Sequence, residues 1–189
     1  MKVQPYQLFF DIHLGYCVTV LVILIYGVSS LRGDVFGKDI LVIGALAGIM
    51  AKVVHGILGH ATILVWPTYL NCVRIAAGLL LTPDQVMQGG FGPILLGVQI
   101  DFVVGIVIGI VTVLILDKWG YDLYLVKGAM VGLVSWALLY VVLSRLLSQV
   151  HPVGSLLYAQ IAFFTHLVFG ISITQSIVWL SQLFKRRQQ

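Results

Sequence analysis

The 189-residue chain is 60% hydrophobic, only 10% charged, and carries a formal net charge of +4. A soluble domain has nearer ~25% charged residues, and a positive excess this small fits contact with anionic lipid headgroups better than with nucleic acid. With a mean hydropathy of +1.05 and about 20 apolar residues needed per span, the length accommodates about four to six membrane helices and leaves no room for a soluble domain.

The amino terminus resembles a signal peptide only weakly. Lys2 is a poor basic region, Asp11 and His13 interrupt the approach to the apolar run Leu14 to Tyr26, and Val28-Ser29-Ser30 is a poor cleavage site. A retained first span over about 9–31 is expected. A polar turn through Arg32-Gly33-Asp34 and Gly37-Lys38-Asp39 leads to a second span, 40–66, ending at Pro67. Residues 68–82 (TYLNCVRIAAGLLLT) are too short and too broken for a span, with Arg74 at their middle, and read as an interfacial or re-entrant helix. A loop from Pro83-Asp84 through Gly89-Gly90 and Gly92-Pro93 precedes span three, 91–116, closed by Asp117-Lys118-Trp119-Gly120. Span four covers 121–147, a loop holds His151-Pro152, and span five covers 156–184 before the terminal Lys185-Arg186-Arg187. The expected fold is therefore an all-α polytopic transmembrane bundle in a single domain, with about five spans and one interfacial or re-entrant helix.

Lys and Arg near span ends set the orientation. Five spans collect Arg32, Lys38, Lys118, Lys127, Lys185, Arg186 and Arg187 on one side, against Lys2, Arg74 and Arg145 on the other. This places the amino terminus outside and the carboxyl terminus in the cytoplasm. Trp66, Trp119, Tyr121 and Tyr124 read as interface anchors, Lys127 as a snorkelling side chain, and His60 and His151 as interfacial or solvated.

Two spans set ionisable groups into glycine stripes. The first reads Gly44, Gly48, Lys52, His55, Gly59, and the second Gly97, Asp101, Gly105, Gly109. At about 100° per residue each set falls on one helix face. Small residues permit close backbone approach, and a charge in hydrocarbon needs a partner. Span five adds His166, Gly170 and Thr174, and span four adds Gly128 and Gly132; no long-period repeat is visible. Counting about 1.5 Å per residue from the inferred cytoplasmic side, Lys52, His55 and Asp101 lie within roughly 5 Å of one another in depth, with His166 slightly farther out.

This polar cluster has two readings. It is a proton or ion relay or a buried ligand site, or it is a Lys52–Asp101 pair that satisfies itself and fixes helix register. His55 and His166 could also be axial ligands of a haem between two helices, although no other cofactor is indicated. Cys17 and Cys72 have no metal-site spacing and read as small packing residues. No nucleotide loop, conventional nucleophile–base pair or zinc motif occurs.

The stretches GALAGIMAKVV, GVQIDFVVGIVIGIVTVLILDKWGYDLYLVKGAMVGLVSWALLY and FTHLVFGISI resemble the YqhR-like group of small membrane proteins from Gram-positive bacteria. About three quarters of the chain, from Gly44 onward, is involved, mostly through glycine and tryptophan positions. The resemblance implies a compact bundle and brings no activity with it; Lys52 and Asp101 are not assignable to its pattern. The function expected is that of a structural or accessory membrane protein without catalysis, in contact with the bilayer and with a second copy or another membrane protein. The alternative is a small proton- or ion-coupled transporter using Lys52, His55, Asp101 and His166, and a haem-binding electron carrier is a third.

Overall fold

A computed structural model describes residues 40–65, 72–147 and 156–186. The expected first span, 9–31, lies outside them. Every element is helical: α1 (Ile40–Val65), α2 (Cys72–Ala77), α3 (Pro83–Gln88), α4 (Phe91–Trp119), α5 (Tyr124–Trp136) running into a π-helical segment (Ala137–Leu143), α6 (Ser144–Leu147) and α7 (Leu156–Arg186). Among the described residues, four helices are long and apolar enough to cross a membrane: 40–59, 91–119, 124–142 and 159–184.

The helices pack as two antiparallel hairpins, each closed by glycines. In the first, Gly44 of α1 lies on Gly109 of α4, and Gly48 lies on Gly105, so closely that an added methyl group would strike backbone on the facing helix. In the second, Gly128 of α5 meets Gly170 and Thr174 of α7, and Gly132 meets His166 and Gly170. The same device therefore occurs twice, with Asp101, Gly105 and Gly109 in one hairpin matching His166, Gly170 and Thr174 in the other. This internal correspondence is invisible as a sequence repeat because it rests on three or four small positions per helix. Van der Waals contact between bare backbones holds such crossings, and it needs no hydrophobic driving force.

The two stripes differ from expectation in two places. Gly59 has nothing within 4 Å of where a side chain would start, so it makes no close helix crossing. Gly97 packs against the backbone of Val73 in the short helix α2, not against another long helix.

Large residues on α7 join the hairpins. Phe169, Ile173, Ile177, Leu180 and Phe184 recur at spacings of four and three and are buried against Ala47 and Ala51 of α1, with Val113 and Leu116 of α4. Alanines on one side and Phe or Ile on the other give the large-into-small fit that fills an interior to native density. The opposite face of α4 is apolar and bare: Val103, Val107, Val111 and Leu114 are each 45–59% exposed. An apolar ridge of this length is costly in water and cost-free against hydrocarbon.

Within the expected segment 68–82, the described residues form a six-residue helix, Cys72–Ala77, followed by turns whose amides donate to the Arg74, Ala76 and Ala77 carbonyls. Val73, Ile75 and Ala77 are buried, Ile75 and Val73 on different sides of the helix. Leu80 is 71% exposed, and burial lowers the affinity of the half-buried Arg74 guanidinium for its proton. Helix α3 starts inside what the sequence suggests is loop: Pro83 occupies its first turn and Gln85 Oε1 accepts the Thr82 amide at 3.0 Å.

Gly120 ends α4 at φ 79°, a conformation that glycine adopts without Cβ strain. Lys127 does not simply extend to solvent. Its Nζ donates to the Trp119 carbonyl at 2.9 Å and the Gly120 carbonyl at 2.8 Å, satisfying acceptors that a helix end leaves unpaired. Lys127→Met should therefore cost about 1 kcal/mol, or roughly 2–4 °C in Tm for a chain of this size. Thermal unfolding in detergent measures it, and an unchanged Tm would show that water replaces the ammonium at those carbonyls.

Candidate functional site

Helix α1 rises past its glycine crossing and places Lys52 one turn beyond Gly48. Helix α4 runs the other way and places Asp101 one turn before Gly105. Opposite chain directions with matched spacing bring the two charges level, and Lys52 Nζ lies 2.7 Å from Asp101 Oδ1. Lys52 is 3% and Asp101 8% exposed. The glycines create this geometry directly: Gly105 leaves the space that the Lys52 side-chain methylenes occupy.

The ammonium has a second contact. Lys52 Nζ sits over the Phe169 ring of α7, 4.7 Å from its centre, so a π face covers part of the charge. His55, one turn along α1, is 5.5 Å from the same ring and 4.9 Å, edge to face, from His166. His166 Nδ1 lies 2.8 Å from the Ala162 carbonyl. A carbonyl only accepts, so Nδ1 carries a proton, and in the neutral ring Nε2 is then the acceptor. Tyr140, from the π-helical segment, packs edge-on to His166 at 5.0 Å. A π turn inserts an extra residue and re-aims the side chains that follow it, and here it borders the site.

Tyr140 is not among the residues that the sequence singles out, and Cys72, expected to be a small packing residue, instead stands among the polar groups. Cys72, the first residue of α2, puts its Sγ 4.0 Å from His55 Nδ1 and 3.8 Å from Asp101 Oδ2. The thiol is pushed above its ordinary value by burial and then by the neighbouring carboxylate, so it is protonated at neutral pH. Its sequence neighbours give no signal, because its partners stand 17 and 29 residues away on other helices. The close approach of α2 to α4 at Gly97 is the feature that could have found it.

The four polar residues singled out in the sequence thus converge, together with Cys72 and Tyr140. Lys52, Cys72, Asp101, Tyr140 and His166 border a cavity of about 140 Å³, walled otherwise by Ile75, Ala76, Leu79, Ile100, Val104 and Leu139. It lies where α4 and the π-helical segment stand apart, between the two hairpins. His55 is behind this wall, against His166 and Phe169. The His55 and His166 rings stand directly edge to face, with centroids 4.9 Å apart.

Chemically, the arrangement is a neutral ion pair, an imidazole, a thiol and a phenol around a small, mostly apolar space, with a second imidazole, His55, behind them. It can bind a small guest, exchange protons among adjacent groups, or present nitrogen and sulfur to a cation. Comparison with protein families, curated proteins and solved structures finds no match for this chain.

Proposed function

We propose that the chain is a small proton- or ion-coupled carrier of the bacterial plasma membrane, with its working centre at Lys52, His55, Asp101 and His166. In this reading the four long helices cross the bilayer, residues 9–31 add a fifth span, the amino terminus is outside, and α2 is re-entrant. The placement of Cys72 beside Asp101, eleven residues into α4, supports re-entry over an interfacial position.

One observation carries the proposal: ionisable groups from both hairpins meet on the wall of a cavity at their interface. Ionisable side chains in hydrocarbon are expensive, and a pair alone would suffice to fix register. Two histidines, a thiol and a cavity exceed that need. Sites at the junction of repeated helix units, near the bilayer midplane, are the arrangement of many small carriers.

The test is flux. Full-length protein in liposomes carrying an internal pH dye should collapse an imposed pH gradient in the presence of a coupling cation, screened from a panel of metal and alkali ions. Asp101→Asn should slow this at least tenfold while the protein still reconstitutes. Gradient decay no faster than in empty liposomes for every ion would overturn the carrier reading.

The closed Lys52–Asp101 contact of 2.7 Å favours a second reading, a structural or accessory bundle in which the pair sets helix register. It expects no flux, together with loss of assembly when the pair is broken.

A further inference from the structure

We propose that His55, Cys72 and Asp101 form a binding site for a soft monovalent metal cation, Cu(I), at the junction of α1, α2 and α4. The proposal rests on the carrier reading in so far as it names the cation of that centre, but binding is measurable without transport.

Geometry comes first. One ligand atom from each of the three residues lies within 4.8 Å of the other two. The His55 Nδ1 to Cys72 Sγ separation is 4.0 Å, long for a hydrogen bond and short for unrelated side chains. Bonds of about 2.0 Å to nitrogen and 2.3 Å to sulfur set the two donors about 3.5 Å apart at a tetrahedral angle and about 4.3 Å apart in a line. The observed spacing falls between, in the range of a two- or three-coordinate ion. Cys72 and Asp101 border the cavity, which gives an ion a route to the sulfur.

Charge then selects the ion. Lys52 and Asp101 already cancel. Binding replaces the thiol proton: Cys–SH and Cu(I) give Cys–S–Cu(I) and a released proton, with no change in oxidation state. The sulfur–hydrogen bond breaks, the sulfur–copper bond forms, and the proton leaves for solvent past Asp101 Oδ2, an acceptor 3.8 Å from the sulfur. The centre keeps its net charge. A divalent ion would add a positive charge in a buried site beside the Lys52 ammonium, and among the described residues no further carboxylate stands there to offset it. Thiolate and imidazole are also the donors that soft Cu(I) takes, whereas a carboxylate alone would favour harder ions. Asp101 stays anchored by Lys52 through Oδ1 and turns Oδ2 towards the metal, the outer-shell role that carboxylates commonly play.

The experiment uses the full chain carrying Cys17→Ser, so that Cys72 is its one thiol, reduced and titrated in detergent with Cu(I) held by a chromogenic chelator. The expected result is about one Cu(I) per chain with an ultraviolet sulfur-to-copper band, and little Zn(II) uptake under the same competition. Cys72→Ser should abolish uptake, and His55→Leu should weaken it at least tenfold, while His151→Ala leaves it unchanged. Should a variant fail to fold, alkylation of Cys72 in the folded protein should block uptake equally. Uptake that survives both Cys72→Ser and alkylation would overturn the site, and preferential Zn(II) uptake would overturn the monovalent assignment. Ion flux without Cu(I) binding overturns this proposal alone; Cu(I) binding without flux overturns the carrier reading and leaves the metal site standing.

Discussion

Lys52→Met and Asp101→Leu, made singly, should each destabilise the protein by about 3–5 kcal/mol, and the double variant should be more stable than either. The reason is desolvation. Both groups are buried, and each is held chiefly by the other at 2.7 Å. Removing Asp101 leaves an ammonium whose remaining contact of note among the described residues is the Phe169 ring, worth about 2 kcal/mol once water is excluded and less than an ion pair supplies. Removing Lys52 leaves a carboxylate whose partner among the described residues is a weak thiol donor at 3.8 Å. In hydrocarbon a stranded charge costs about 2.5–3.5 kcal/mol on insertion scales. Met and Leu together fill similar volume with no charge to satisfy. Thermal midpoints of the four proteins in one detergent give the coupling. A double variant as damaged as the sum of the singles would mean that the contact is not energetically a pair.

Much of this site was legible in the sequence because a helix converts spacing into direction and depth. Lys52 and Asp101 stand on glycine stripes of helices running in opposite directions, so a count at about 1.5 Å per residue is enough to bring them level. His166 was reachable by the same count. Cys72 was not, since it comes from a six-residue helix whose approach depends on Gly97 yielding to the Val73 backbone. Short apolar segments carry too few turns for periodicity to fix their facing. The cavity was equally hidden: it exists because α4 and the π-helical segment fail to meet, and no residue pattern encodes a gap. The π-helix itself, Ala137–Leu143, reads in sequence as an ordinary continuation of span four.

The two hairpins explain why charge and glycine occur together. A close crossing brings backbones near enough that a long side chain must go over or under it. Lys52 goes over Gly105, and the Asp101 carboxylate is there to receive it. In the second hairpin the matching position holds His166, which turns its Nδ1–H back to its own helix at Ala162 and leaves its ring for His55 and Tyr140. One crossing thus produces an ion pair and the other a neutral donor–acceptor group. The α1–α7 contact through Phe169 sets the two side by side.

Gly48→Leu should prevent the first hairpin from closing, whereas Gly59→Leu, on the same stripe of the sequence, should be harmless. Around Gly48 a Cβ would run into the Gly105 carbonyl and the Ile106 Cα. Both are backbone, so no rotamer change relieves the clash, and the helices must separate. Separation breaks the Gly44–Gly109 contact as well and draws Lys52 away from Asp101. The cost therefore exceeds the ~1–3 kcal/mol of ordinary overpacking, because lost packing and a stretched ion pair are added to it. Gly105→Leu should behave alike, since its Cβ would fall on the Lys52 side chain. At Gly59 nothing lies within 4 Å, and replacing a helical glycine by leucine gains up to about 0.8 kcal/mol of helix propensity. Size-exclusion profiles and thermal midpoints in detergent separate the cases. Equal midpoints for Gly48→Leu and Gly59→Leu would show that the hairpin is not held by glycine contact, and the level placement of Lys52 and Asp101 would then need another cause.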